Sequence, residues 1–541
     1  MEERPLNPES MLRNLSESKV ISPFRYFLLI SLAVYGVMFP MLSWTVFSED
    51  DSHLMRVAMD YGWLEHYLVA DVYRQLSTAN YTPLPLTIYK TLVSTFSLSP
   101  GSFLIFMIVC VSLFTAIAGL FIERLTKNRF AAWAAMLLIF SNMSMITLIT
   151  RFYTMHYIIG GIFALTAMVL IFDKDRRSRL PSLACLCIFL ALLSKEVYIV
   201  LPPLVIAYAL WKRDYVLASG TVFAFLCYLT LRTYILGMSV DIGAESSYFA
   251  GFWSVSGGDW LSFFAWYAKS RIFILIATGA AVLLNPARLL RLLPVALMFA
   301  APSLAVSHGI VDPEMHGDRI FFAFDSALAI TGIIAVHQSD AFTRLVRPMS
   351  LLICLTVVMI IHTVNNAAYR AETETLADYR ITSFILENVG RPGSESPTFF
   401  VPLNFIQGDL MRVNATLETP PFYITQNCLA ALEVTEGELI AFDVSGSEIS
   451  RNELNASCVA ADASVQINTA PTYNNGVLEW SLQVANSPHN GVLFVDRAFA
   501  VPLSEFSQQL VRPKPGERYQ IFANDGIHWW FSAIEPIVML E

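Results

Sequence analysis

Long apolar runs separated by short polar breaks fill the first two-thirds of the chain, and the pattern changes near Asn366. Windows of continuous hydrophobicity centre on 24–46, 101–122, 131–149, 153–172, 180–195, 197–211, 215–236, 262–284, 289–307, 319–337 and 349–366. About 20 apolar residues in a helix cross a bilayer core of about 30 Å, so the pattern predicts about eleven transmembrane helices. The fifth and sixth nearly fuse through Ser194-Lys195-Glu196. From about 395 onward the runs shorten to strand length: Thr398–Val401, Leu439–Phe442, Val492–Val495 and Tyr519–Phe522. Asn475-Gly476, Asn490-Gly491 and Asp525-Gly526 read as turns between them. The predicted organisation is an N-terminal segment 1–23, a transmembrane domain 24–366 with a long first loop 47–100, a helical linker 367–394, and a small β-rich soluble domain 395–541, sandwich-like in its strand spacing.

Composition agrees with the pattern. Of 541 residues 55% are hydrophobic and only 15% charged, with mean hydropathy +0.53. A soluble domain carries about 25% charged residues. A cytosolic enzyme and a nucleic-acid binder are excluded. The net charge of −9 is uneven: residues 370–541 hold 9 Lys+Arg against 21 Asp+Glu, whereas residues 1–369 hold 26 against 23. Of those 26 cations, 17 fall in the N-terminal segment and in alternate short loops, among them Arg124, Lys127 and Arg129, Lys212 and Arg213, and Arg344 and Arg347. Cytoplasmic loops carry the excess of Lys and Arg, so the sequence predicts a cytoplasmic N-terminus and a C-terminal domain on the far side. The polar start lacks a small-residue cleavage site, and no cleavable signal peptide is expected.

Five cysteines lie in apolar runs; Cys428 and Cys458 are the two of the C-terminal domain. In an oxidising compartment they form a disulfide, and otherwise they are two buried thiols.

The candidate chemistry gathers in the first loop. Phe47-Ser48-Glu49-Asp50-Asp51-Ser52-His53 puts three consecutive carboxylates at the membrane surface, followed by apolar positions at helical spacing. Alone, this is either a solvated boundary to the first helix or a functional cluster. Crowded carboxylates suit general-base work or a divalent ion such as Mg or Mn. The same face collects Arg151, Lys195, Arg232, Arg271 and Arg319. Lys195 and Arg232 sit near helix ends in apolar surroundings, where a charge is retained for a partner: an acid such as Glu196, or a phosphate. His308, His316 and Asp318 form a further polar group that fits a metal or an acceptor only weakly. His528-Trp529-Trp530 reads either as a sugar-stacking platform or as an ordinary aromatic cluster. No GxxxxGK[ST], HExxH, GxSxG or GxGxxG occurs.

An acidic pair directly after the first span, a long loop with Pro83-Leu84-Pro85, many further spans and a soluble C-terminal domain together resemble the GT-C superfamily of membrane glycosyltransferases. Leu193-Ser194-Lys195-Glu196 with Pro202-Pro203, Leu231-Arg232, and Asp318-Arg319 are similar to segments of its O-mannosyltransferase and aminoarabinose-transferase-like members. The resemblance spans about residues 24–340 and implies transfer of a sugar from a polyprenyl-phosphate donor to a glycan, lipid or protein acceptor. It implies that Asp50, in register with Glu49 or Asp51, is the base that deprotonates the acceptor hydroxyl. Lys195, Arg232, Arg319, Arg271 and Arg151 would stabilise the departing phosphate. The bacterial cytoplasmic (inner) membrane is the expected location. Rival readings are a lipid or glycan transporter or flippase, and an O-antigen polymerase or ligase-type transferase.

Overall fold

The computed structural model describes residues 21–48, 50–74, 76, 80–142, 145–172, 181–237, 255–304, 308–313, 317–345, 347–388, 396–402, 405–417, 421–435, 437–458, 472–474, 477–479, 489–495, 499–503, 518–524, 529–531 and 534–536. Among these, six helices are long and apolar enough to cross a membrane: Pro23–Ser43, Pro100–Thr126, Phe152–Ile171, Tyr215–Leu236, Pro286–Leu304 and Met349–Thr373. The helices Gly257–Ser270 and Ile272–Leu284 make a seventh span if taken together, but they meet at 87°. Leu283, Tyr234, Phe223 and Met349 are exposed on such helices, as expected of side chains that face lipid rather than water. The protein is an integral membrane protein.

The expected count of about eleven spans is not confirmed: by length and composition, six of the described helices qualify, or seven with the bent pair. Four of the expected windows fall on the shorter apolar helices Arg129–Phe140, Pro181–Ser194, Glu196–Trp211 and Phe322–Val336. At 1.5 Å per residue a helix of that size reaches about 18–24 Å, short of the hydrocarbon thickness. Local chemistry sets these lengths. Asn128 caps Arg129–Phe140 by accepting the amides of Phe130 and Ala131. Lys195, with extended backbone (φ −160°, ψ 138°), separates Pro181–Ser194 from the 3-10 turn Glu196–Val200.

The C-terminal ends of Pro100–Thr126, Phe152–Ile171 and Glu196–Trp211 come together in the bundle. Phe121 meets Phe172, and Phe172 meets Tyr208, at one end of the bundle. Asn285 donates to the Ala335 carbonyl and Arg288 to Gln338 at the corresponding ends of their helices. Near the other end, Asn366 of the last long helix donates to the Val37 carbonyl of the first.

Among the described residues, the strands of the C-terminal region are not all antiparallel. Thr398–Phe400 lies between Tyr423–Thr425 and Leu439–Phe442, parallel to both, with Glu448–Ile449 added antiparallel at the edge. Parallel strands need crossover connections, supplied here by Leu410–Ala415 and Cys428–Leu432. The helix Ala377–Asn388 lays Phe384 against Phe399 and Phe442. A second, antiparallel sheet runs Trp529–Phe531, Arg518–Asn524, His489–Phe494, Phe499–Leu503. Asn490-Gly491 is no turn: Gly491 sits inside His489–Phe494, paired to Pro502 and Phe522. The other two turn dipeptides and His528 lie outside the described residues. Trp529 and Trp530 are strand residues.

Cys428 and Cys458 are joined, 30 residues apart with their Cα atoms at 5.8 Å, tying Cys428–Leu432 to the end of Arg451–Ser457. Closing a loop of that size restricts the unfolded chain by about 3–4 kcal/mol. Cys428→Ser is thus expected to lower the melting temperature of the C-terminal region. A variant that melts with wild-type protein under non-reducing conditions would show that the bond adds nothing.

Candidate active site

The first long helix ends at Ser43, and within eight residues the chain re-enters helix at Asp51–Asp60. The turn between them is closed by Asp51 itself, whose Oδ2 accepts the Ser48 amide at 2.9 Å. A carboxylate in the first helical turn also meets the positive end of the helix dipole. Its Oδ1 accepts the Tyr89 hydroxyl at 2.7 Å, with both side chains fully buried. Burial, then the adjacent Asp51 charge, push the Tyr89 hydroxyl well above its ordinary pKa, so it remains the donor. Tyr89 packs at a tilt against Phe103, which contacts Phe47 and Phe152, so an aromatic cluster backs the buried carboxylate.

Asp50 differs. It is exposed, its backbone carbonyl accepts the Leu54 amide, and its carboxylate has no hydrogen-bond partner among the described residues. Glu49 lies outside the described residues. Of the two acids described, one is engaged in the fold and the other faces solvent.

The rest of the loop helix is held on two sides. Lys90 Nζ donates to the carbonyls of Ala58, Met59 and Tyr61 at 3.2, 3.2 and 2.6 Å, a cation on the negative end of the helix. Arg56 is 2% exposed and pairs with Asp60 at 3.3 Å and with Asp409 of the C-terminal region at 3.0 Å. His53 Nδ1 lies 3.1 Å from Asp409 Oδ2 and 3.2 Å from an Arg56 amino nitrogen. Ser52 Oγ donates to the Ile406 carbonyl at 3.4 Å. The C-terminal region therefore docks on the acidic loop, and the two share one face of the molecule.

Two of the expected cations reach this face over tyrosines. Lys195 Nζ lies 5.3 Å from the Tyr157 ring centroid and donates to Asn80 Oδ1 at 3.1 Å; no carboxylate pairs with it among the described residues. The Arg319 guanidinium lies 4.8 Å from the Tyr153 ring. Both tyrosines belong to the segment that starts at Arg151, a half-buried residue at the head of Phe152–Ile171. His156, between them, lies within electrostatic range of both Lys195 and Arg319.

The other expected ligands are differently occupied. Arg232 Nε donates to Glu196 Oε1 at 2.9 Å, the oxygen that also accepts the Tyr81 amide. Arg271 is buried between Asp318 at 2.7 Å and Asp325 at 2.9 Å. His316 lies outside the described residues, as does the side chain of His308, which begins the short helix His308–Val311. Among the described residues, no group of three or more His, Cys, Asp or Glu is arranged to hold a metal ion. Tyr89, Asp325 and Asp409 are partners that no local sequence signal marks, lying 38 residues from Asp51, 54 from Arg271 and 356 from His53.

Beneath the cations the helices leave an apolar cavity of about 290 Å³, lined by Phe114, Gly161, Tyr198, Phe299, Phe322 and Ile334 among others. Gly161 permits this shape, because a Cβ there would lie 2.7 Å from the Phe114 ring. Tyr198 links cavity and face: its ring lines the cavity and its hydroxyl donates to the Tyr157 carbonyl. Of the aromatic residues at these helix ends, Phe152 packs instead against Phe47 and Phe103.

No family model matches the chain, and no curated protein sequence does. Among solved structures it is similar to ArnT from Cupriavidus metallidurans bound to undecaprenyl phosphate, at 12% identity and TM-score 0.49 over 74% of this chain and 85% of that one.

Proposed function

We propose that the protein is a membrane glycosyltransferase that takes a sugar from a polyprenyl-phosphate donor and places it on an acceptor hydroxyl. The observation that carries this reading is one arrangement: an exposed carboxylate, Asp50, shares a face with two tyrosine-backed cations, Lys195 and Arg319, above an apolar cavity between the helices. Each part answers a need of the reaction. Asp50 accepts the acceptor's hydroxyl proton as its oxygen attacks the anomeric carbon. The bond from that carbon to the phosphate oxygen breaks, and polyprenyl phosphate leaves with the electron pair. Lys195 and Arg319 meet the negative charge that develops on it. The cavity takes part of the apolar tail, whose burial contributes about 0.8 kcal/mol per methylene.

The reacting face is extracytoplasmic in this reading. Among the described residues, Arg124, Lys127, Arg129, Lys212, Arg213, Arg288, Arg291, Arg344 and Arg347 occupy the helix ends away from the acidic loop, as the positive-inside bias requires of a cytoplasmic face.

The test is transfer by the purified full chain in lipid nanodiscs, given a labelled polyprenyl-phosphate sugar and an envelope-glycan acceptor extract, with a nucleotide sugar as control. Label should move covalently to the acceptor from the lipid-linked donor alone. Label that crosses reconstituted vesicles while remaining on the lipid would replace this reading with transport.

A further inference from the structure

We infer that Asp318, Arg271 and Asp325 form a buried relay whose task is to position Arg319 at the donor phosphate; the inference rests on the phosphate role proposed for Arg319. Its centre is the bend between Gly257–Ser270 and Ile272–Leu284, where Arg271 is 1% exposed and stacks on the Trp266 ring at 4.5 Å. Arg271 Nε donates to Asp325 Oδ2 at 2.9 Å, and an amino nitrogen donates to Asp318 Oδ1 at 2.7 Å. Tyr267 donates to the other Asp325 oxygen at 2.6 Å. Asp325, fully buried in Phe322–Val336, is thereby fixed by two partners, and it fixes Arg271 in turn.

Asp318 is the outward end of this chain of contacts, and the next residue is Arg319. The segment that carries both is a helical turn of three residues, Asp318–Ile320, joined through Phe321 to the helix Phe322–Val336. It is pinned from outside. Gly317 lies so close to the Trp266 ring that a Cβ has no room, and Ser303 Oγ donates to the Ile320 carbonyl at 2.7 Å. Asp318 on Arg271 supplies the polar tether, and Arg319 comes to rest over Tyr153.

A purely architectural account leaves the charges unexplained. Apolar side chains of similar size hold a bend as well as a buried ion pair does, because desolvation offsets most of the pair's attraction. What the planar guanidinium adds is direction: its fork sets the angle at which two carboxylates approach. With two carboxylates on it and almost no exposure, Arg271 is placed to act through Asp318 and Arg319. It is a positioning residue.

The test is a double-mutant cycle on the full chain in nanodiscs, reading KM for the polyprenyl-phosphate sugar, kcat and melting temperature. Arg319→Gln should raise KM about tenfold or more. Asp318→Asn should raise it several-fold alone and add less than twofold in the Arg319→Gln background. If Asp318→Asn does not fold, Arg271→Lys, which keeps the charge and loses the fork, enters the same cycle with the same expectation. Equal, additive KM effects of Asp318→Asn in both backgrounds would overturn the positioning role. An unchanged KM in Arg319→Gln would instead overturn the phosphate role on which it rests.

Discussion

Asp50→Asn should lower sugar transfer by about 10²–10⁴-fold while donor binding stays within about twofold of wild type. The substitution keeps the size of the side chain and removes only its ability to take a proton. Asp50 is exposed and has no hydrogen-bond partner among the described residues, so the fold loses little. Asp51→Asn is the internal contrast. Asp51 accepts from both Tyr89 and the Ser48 amide, so its replacement disturbs the start of the loop helix and should lower the melting temperature. Turnover and donor Kd, measured on both variants in one nanodisc preparation, separate the two roles. Wild-type turnover in Asp50→Asn would remove it as the base and point to Glu49 or Asp51.

The second large effect is on stability. Removing one member of a buried ion pair strands its partner in a low-dielectric setting, at a cost of about 3–5 kcal/mol. Arg56 and Asp409 are such a pair, 2% and 8% exposed at their side chains. Asp60 and His53 remain beside Arg56 and retain part of its environment, so Asp409→Ala should cost near the low end, about 3 kcal/mol. The C-terminal region should then become protease-sensitive at a lower temperature than the transmembrane helices. Arg56→Met with Asp409→Leu should recover most of the loss, since no charge is left behind. Unchanged melting and protease resistance in Asp409→Ala would show that the pair does not hold the two regions together.

Apolarity was legible along the chain, but helix length was not. A hydropathy window reads 131–149 as one span, whereas the helix that begins there stops at Phe140, and Arg129–Phe140 alone is too short to cross. The strand runs of the C-terminal region were visible because β-branched and aromatic residues cluster in them. The parallel pairing of Thr398–Phe400 with Tyr423–Thr425 and Leu439–Phe442 was not visible, because it depends on the crossover helices Leu410–Ala415 and Cys428–Leu432. Asn490-Gly491 looks like a hairpin turn until its neighbours, Pro502 and Phe522, are known.

At the site, residue types were readable and partnerships were not. Three adjacent carboxylates mark the first loop, but nothing local says that Asp51 is the one that turns inward to Tyr89. Arg271 and Arg319 are equivalent in sequence, two cations near helix ends. Only the approach of Asp325 makes the first a support for the second.

The contacts of Ser52 and His53 with Ile406 and Asp409 span 354 and 356 residues. A ribosome must therefore complete most of the chain before the acidic loop can close on its partner. During synthesis the first span and its loop enter the membrane early and wait, with Arg56 lacking its acid from the far end. The contacts that seat the loop helix therefore form only after Ile406 and Asp409 have been synthesised. A product interrupted before Asp409 would insert into the membrane yet lack the contact that seats its first loop.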